Sequence, residues 1–230
     1  LQNEMPSYDY SNFHNSVNIS HKITTDDFVI PYNGNKPSVQ TNVIQTTPIS
    51  LITKRIKIEM PIIELNGQKQ IISNPDEDIL KIAVFDRHHS TGSHSVGLIK
   101  GTGITNGAIA STVAHDNHNL IIIGTDDESM LNIANDMKER GGGMASLTND
   151  NLIFFPLPIA GLMSSDPIEE IVENYNIVKK SARDMGSSLE NVFMTMSFMA
   201  LAVIPEIKIT DMGIVDVNSF KIINLFDEEN

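Results

Sequence analysis

Cysteine and tryptophan are absent from this 230-residue chain, and only four of its residues are arginine. The absence of cysteine excludes disulfide bonds, thiol nucleophiles and thiolate metal sites, and it fits a reducing compartment. The scarcity of arginine and the net charge of −13 argue against nucleic acid as a partner, because phosphate binding needs clustered cations. We therefore expect small molecules, metal ions or other protein surfaces as partners.

Long hydrophobic runs are also missing. The longest apolar stretch, residues 192–204, includes Thr195 and Ser197 and is shorter than the ~20 residues that a membrane span needs. The chain opens without the basic and apolar segments of a signal peptide, so we expect a cytoplasmic protein with no membrane partner. The first residue is Leu1 rather than Met, which favours a piece of a longer chain.

The distribution of apolar residues predicts an α+β fold with mixed β-sheets and several packed helices, preceded by an extended arm. Residues 1–75 are predicted to form the arm with a linker and strand region, residues 76–226 an α+β domain, and residues 227–230 an acidic tail. Asn, Ser, Thr and Pro dominate roughly the first 50 residues, whereas buried-strand patterns begin near Ile79.

Short apolar and alternating runs predict most of the strands. Asn66-Gly67 and Asn149-Asp150 lie between such runs and predict hairpin turns. Residues 189–204 are apolar nearly all round, which predicts a buried helix or a helix followed by a strand. The predicted strands are 50–61, 80–85, 96–100, 108–113, 120–124, 144–147, 152–155, 207–209 and 214–217.

Two longer helices are predicted from capping residues and helical periodicity. Thr125 and Glu128 form a capping-box pattern at the start of the first helix, and the glycines at 141–143 stop it. The second helix is predicted to begin with Pro167 at its first helical position and to end near Gly186.

Five of the seven histidines fall between residues 88 and 118, in two segments that adjoin predicted buried strands. Three interpretations of this cluster remain open. The side chains hold a metal ion, they recognise a polar ligand, or they satisfy backbone groups at the strand ends. The candidate metal ligands are His115, Asp116 and His118 with His88 or His89.

Four long motifs resemble the C-terminal region of bacterial adenine deaminases, which are metal-dependent amidohydrolases. The resemblance extends over roughly residues 17–226, and the order and spacing of the motifs agree. One departure is an extra histidine, His94, between Ser93 and Ser95. The motifs are RHHSTG at 87–92, GAIASTVAHDNHN at 107–119, PLPIAGLMS at 156–164 and FMTMSF at 193–198.

The resemblance implies an enzyme that hydrolyses adenine to hypoxanthine and ammonia. In that family a (β/α)8 barrel carries a two-metal centre, with Mn or Fe as the divalent metal, and a metal-activated hydroxide attacks C6 of the purine. Barrel ligands of the His-x-His type are expected, and this sequence contains no His-x-His. The resemblance therefore implies that the barrel is absent from this chain and that the chain alone is inactive.

For the chain itself the resemblance favours a cap over the active site, with adenine and the barrel domain as partners. A structural module that supports a homo-oligomer is the alternative, and an independent metal-binding or purine-binding module is a third hypothesis. No residue of this chain is expected to bind the catalytic metal. The expected active-site contacts are His89 and Asp116, and the expected substrate-binding residues are Arg87, His88, His118 and Asn119.

Overall fold

The computed structural model describes residues 8–149 and 151–226, which form an α+β fold. This confirms the predicted fold class, and no (β/α)8 barrel occurs within these ranges. None of the helices described here is long and apolar enough to cross a membrane.

The strands are β1 (Ile30–Pro31), β2 (Ser38–Gln45), β3 (Lys54–Pro61), β4 (Ile63–Leu65), β5 (Gln68–Ile71), β6 (Ile79–Phe85), β7 (His94–Lys100), β8 (Ala108–Ser111), β9 (Leu120–Gly124), β10 (Gly143–Thr148), β11 (Asn151–Pro156), β12 (Ile207–Thr210), β13 (Gly213–Asp216) and β14 (Lys221–Ile223). The α-helices are α1 (Asp127–Arg140), α2 (Ile168–Asp184) and α3 (Val192–Ser197).

The largest sheet has the strand order β11-β10-β8-β9-β6-β7-β2-β3, and all its neighbours are antiparallel except β2 and β7. Strand β6 lies inside this sheet, and all of its residues are buried. Ile82 and Val84 pack into one core cluster, whereas Ala83 and Phe85 pack into another on the opposite face. Because both faces are covered, the β6 sequence is a continuous apolar run apart from Lys81.

Two layers cover the faces of this sheet. On one face, Met130 and Ile133 of α1 share a cluster with Val17 and Ile19 of the N-terminal segment. On the other face lie α2, α3 and the β12–β13 hairpin. The N-terminal segment therefore contributes to the hydrophobic core despite its polar composition, because its few apolar residues are directed at the sheet.

Strands from both sides of residue 75 belong to the large sheet, where Val43 of β2 pairs with Leu98 of β7. A smaller sheet, β1-β5-β4, contains the predicted hairpin at Asn66-Gly67, and a third sheet has the order β12-β13-β14. The predicted division of the chain at residue 75 stays a prediction. The predicted tail at 227–230 and Asp150 of the predicted hairpin turn lie outside the described residues.

Helix α1 begins one residue later than the capping-box pattern predicts, so that prediction is wrong. The N-cap is Asp126, whose carboxylate accepts the backbone N–H of Ser129 at 2.7 Å. The backbone N–H and the hydroxyl of Thr125 donate instead to the carbonyl oxygen of Gly107, at 2.9 and 3.2 Å. Because Thr125 remains bonded to the sheet, Asp126 is the first residue available for capping.

The second helix differs from the prediction at its start. Pro167 is the N-cap of α2 rather than its first helical residue, whereas the helix ends at Asp184, near Gly186 as predicted. Residues 189–204 contain the six-residue helix α3 followed by turns, without a strand. Phe193 and Met196 of this segment are buried in the core below the large sheet. Tertiary burial, rather than a long regular element, therefore explains the apolar pattern.

Candidate functional site

Two histidine-bearing loops meet at one end of the large sheet. Strands β6 and β9 are antiparallel neighbours, and Phe85 at the end of β6 pairs with Leu120 at the start of β9. The loop after β6, residues 86–93, therefore emerges beside the loop before β9, residues 112–119. We call them the β6 loop and the β9 loop. The two segments that the sequence analysis singles out come together in this way.

Arg87 lies fully buried behind these loops. Its Nε donates to the carbonyl oxygen of His118 at 2.5 Å, and one terminal nitrogen donates to the carbonyl and hydroxyl oxygens of Ser16 at 2.9 and 2.8 Å. The other terminal nitrogen donates to the carbonyl oxygen of Ala160 at 3.0 Å. Burial lowers the pKa of the guanidinium to about 10, so it is still a cation at neutral pH. Arg87 thus connects both loops with the N-terminal segment and the loop that contains Ala160.

Asp86 organises the β6 loop around one buried carboxylate. Its Oδ1 accepts the backbone N–H of His88 at 3.0 Å and lies 3.2 Å from Nδ1 of His89, while its Oδ2 accepts the hydroxyl of Thr91 at 2.7 Å. Burial by itself raises the pKa of this carboxyl, but the hydrogen bonds from Thr91, His88 and His89 outweigh it and lower the pKa to about 2. Asp86 is not among the site residues predicted from the sequence, although its position directly after a buried strand is a usable signal.

The outward-facing part of the site is formed by polar side chains from both loops. The His89 side chain is 77% exposed, and Asp116 and Asn117 are exposed as well. Nε2 of His88 lies 2.9 Å from the carbonyl oxygen of Asn117, which bridges the two loops. Imidazole and carboxylate groups on one surface can donate and accept hydrogen bonds with a polar molecule.

His118 differs from these residues because it is half-buried and partly unpaired. Its Nδ1 is buried and has no hydrogen-bond partner among the described residues. Burial lowers the pKa of this imidazole, and the positive charge of Arg87 lowers it further, which favours the neutral form of His118. A buried polar atom without a partner is uncommon in native proteins. Because this atom is shielded from solvent, contacts with a ligand at the β9 loop fall to the exposed groups beside it.

Neighbouring elements support the two loops from behind. The side-chain amide of Asn119 donates to a carboxylate oxygen of Asp211 at 3.1 Å, and the Ser93 hydroxyl donates to the carbonyl oxygen of Asp211 at 3.0 Å. The backbone N–H of His115 donates to the carbonyl oxygen of Ser197 at 3.0 Å. The turn between β12 and β13 and the end of α3 therefore help to fix the loop conformations.

The two loops do not form a metal centre like the one that the family resemblance assigns to the barrel. Such a centre needs several imidazole and carboxylate ligand atoms that converge on one point. Over residues 8–149 and 151–226, the group of three converging ligand atoms consists of His21, Asp27 and His94, which the sequence analysis does not predict. The Arg87 guanidinium, bonded directly to the carbonyl oxygen of His118, also disfavours a dication at the β9 loop.

Comparisons with known proteins agree with the resemblance seen in the motifs. The family model described as "Adenine deaminase C-terminal domain" matches residues 50–221. An adenine deaminase of Clostridium botulinum (strain Langeland) is 40% identical over 231 residues, which cover 100% of this chain and 38% of that protein. An adenine deaminase of Methanothrix thermoacetophila is 42% identical over 93% of this chain and 36% of its own length. An adenine deaminase of Desulfatibacillum aliphaticivorans is 41% identical over 83% of this chain and 33% of its own length.

This chain therefore spans about a third of the length of the curated relatives that it matches. The family model matches well over half of the chain, and the relatives align with nearly all of it. The resemblance predicted from the sequence motifs is confirmed. The chain belongs to the family of adenine deaminase C-terminal domains.

Proposed function

We propose that this chain is the C-terminal part of an adenine deaminase, which hydrolyses adenine to hypoxanthine and ammonia. The observation that carries the proposal is the 40% identity with the adenine deaminase of Clostridium botulinum across the whole chain. Because the chain spans 38% of that relative, we assign the catalytic barrel and its divalent metal, Mn or Fe, to the remainder of the longer protein. This chain alone is then inactive, and a cytoplasmic location stays a prediction.

Within that protein, the β6 and β9 loops cover the active site in this proposal. His88, His89, Asp116 and His118 provide donors and acceptors on one surface, and adenine offers an amino group and ring nitrogens as their complements. Closing these loops over the barrel would also exclude water, which strengthens the electrostatic interactions inside.

Arg87 and Asn119 have a positioning role in this proposal. The hydrogen-bond donors of Arg87 are bonded to Ser16, His118 and Ala160, and the side-chain amide of Asn119 is bonded to Asp211. Both residues are buried. They therefore hold the loops in place, while the exposed residues of the same loops contact the substrate.

The variants Asp116→Ala and His89→Ala in the full-length enzyme test the cap. Each removes about one substrate hydrogen bond, so we expect kcat/KM for adenine to fall about tenfold. Stability should not change in Asp116→Ala, because that side chain is exposed. His89→Ala also removes the contact with Oδ1 of Asp86, so a loss of about 1 kcal/mol is expected there. The matched control is Asp184→Ala, which removes an exposed carboxylate at the end of α2. Unchanged kinetics and unchanged stability in both loop variants would contradict the cap.

A second role, in the assembly of a homo-oligomer, is favoured by one apolar surface. Ile49 is 99% exposed in the connection between β2 and β3. Together with Leu51 and Met194 it lines a cleft of about 600 Å³ that does not include the histidine loops. Exposed apolar side chains around a cleft are typical of protein interaction sites, and we propose that a second copy of this chain covers this one.

Size-exclusion chromatography with light scattering tests the assembly role. We expect the unmodified chain to form a dimer or larger oligomer, and Ile49→Asp to shift it towards the monomer. The control is Ile168→Asp, which introduces the same charge at an exposed apolar position at the start of α2. A monomer at all concentrations for the unmodified chain, or an equal shift in both variants, would argue against this surface.

A further inference from the structure

Three potential metal ligands from separate parts of the chain converge away from the β6 and β9 loops. His21 belongs to the N-terminal segment, Asp27 to the short 3-10 helix Thr25–Phe28, and His94 is the first residue of β7. Nε2 of His21 lies 3.1 Å from Oδ1 of Asp27, and Nε2 of His94 lies 3.6 Å from the same oxygen. Folding therefore brings two imidazoles to one carboxylate oxygen.

Hydrogen bonds behind Asp27 and His94 fix the orientation of these two side chains. Oδ2 of Asp27 accepts the backbone N–H and the hydroxyl of Thr24 at 2.7 and 3.1 Å, which leaves Oδ1 directed at the imidazoles. Nδ1 of His94 lies 3.1 Å from the carbonyl oxygen of Gly92, and the His94 ring stacks on Phe85 at 5.0 Å. A histidine that donates one ring N–H to a carbonyl and directs the other nitrogen outward is the usual arrangement of a metal ligand.

This arrangement directs a ring nitrogen of His94 at a carboxylate oxygen. Because Nδ1 of His94 donates to the carbonyl oxygen of Gly92, Nε2 offers a lone pair. That lone pair faces the carboxylate oxygen of Asp27, so the two atoms repel each other unless a proton or a metal ion lies between them.

The two distances from the Asp27 carboxylate oxygen to the histidine nitrogens are close to those of a tetrahedral site. With metal–ligand bonds of about 2.0–2.1 Å, neighbouring ligand atoms of such a site lie about 3.3 Å apart. The separations from Asp27 Oδ1, 3.1 Å to His21 and 3.6 Å to His94, lie on either side of this value. All three ligand atoms are within 4.8 Å of one another.

We propose that His21, Asp27 and His94 form a binding site for a divalent transition metal of the zinc class, with solvent completing the coordination. Two imidazoles and one carboxylate favour such a metal over Ca²⁺ and Mg²⁺, which prefer oxygen ligands. The side chains are 32%, 13% and 28% exposed, so an ion can enter from solvent. Bound metal would join the N-terminal segment to β7 and stabilise the folded chain.

Zinc titration of the 230-residue chain without an affinity tag tests this site. Isothermal titration calorimetry should show one Zn²⁺ bound per chain at this site, and zinc should raise the melting temperature. His94→Gln and Asp27→Asn should each weaken zinc binding more than tenfold, because each removes one of three ligands. Co²⁺, used as a second probe, should give a tetrahedral absorption spectrum in the unmodified chain and lose it in both variants.

The matched control is His89→Gln, which breaks a different histidine–aspartate contact of 3.2 Å and should leave zinc binding unchanged. His21→Gln provides a second ligand variant at a partly exposed position in case the others fail to fold. The site is refuted if the unmodified chain shows no saturable zinc binding, if the ligand variants bind zinc as well as it does, or if only His89→Gln loses binding.

Discussion

Replacing Arg87 with methionine removes the buried cation that connects the two histidine loops to the rest of the fold. The substitution eliminates the four hydrogen bonds that the guanidinium donates to His118, Ser16 and Ala160. Hydrogen bonds of a charged donor contribute about 1.5–3 kcal/mol each, so the gross loss is about 6–12 kcal/mol. Removing a desolvated charge returns several kcal/mol. We expect the free energy of unfolding to fall by about 4 kcal/mol.

Urea unfolding followed by circular dichroism measures this loss, which corresponds to a fall in Tm of about 8–16 °C for a chain of this size. Arg87→Lys should lose less, because the ammonium keeps the charge but cannot reach all the acceptors. The control is Arg183→Met, which removes an exposed arginine bonded to one carbonyl oxygen, that of Glu190. A loss below about 0.5 kcal/mol in Arg87→Met, similar to ordinary surface changes, would refute the anchoring role.

Two further predictions concern Asp86 and Gly107. Folding lowers the pKa of Asp86 from 3.8 to about 2. The ionised carboxylate therefore stabilises the folded state above the unfolded pKa, and this stabilisation is lost as the pH falls through the folded pKa. Asp86→Asn should therefore lower the free energy of unfolding, measured with urea, by about 2 kcal/mol at pH 7 and by less at pH 3. A difference that does not depend on pH would contradict this role of the Asp86 carboxylate. Gly107→Ala should lower the free energy of unfolding by about 3 kcal/mol or more, because the new Cβ would lie 2.0 Å from the carbonyl oxygen of Leu147. The control is Gly67→Ala, which has the same φ of +77° but open space around the Cβ, and which should lower it by about 1 kcal/mol. Equal losses of Tm in the two alanine variants would contradict the steric argument.

The architecture could be predicted from the sequence where burial produces a clear pattern. Strands β6 and β9 are buried on both faces and are continuous apolar runs, so their positions follow from hydrophobicity alone. The start of α1 could not be predicted to the residue, because Thr125 and Asp126 are both good capping residues and only the pairing of Thr125 with Gly107 decides between them. Such a contact depends on the tertiary fold, which local sequence does not contain.

The candidate site could be predicted only in part, for a similar reason. The sequence predicts that the histidine segments after β6 and before β9 adjoin strand ends. It does not predict that the two loops meet, because this depends on β6 and β9 being neighbours in the sheet. The burial of Arg87 runs against the general tendency of arginine to lie at the surface. His21, Asp27 and His94 are distant in sequence, so their convergence is visible only in three dimensions. The sequence distinguishes His94 only as a departure from the family motifs, which does not indicate His21 and Asp27 as its neighbours.

The most direct test of the proposed function compares hypoxanthine formation from adenine by the 230-residue chain alone and by the full-length protein that carries it. Both samples are checked by intact mass and assayed with added Mn²⁺. We predict turnover by the full-length protein and none by the chain alone, with lower kcat/KM when the full-length protein carries Asp116→Ala. Conversion of adenine by the isolated chain would contradict the account and would place the catalytic chemistry within these residues.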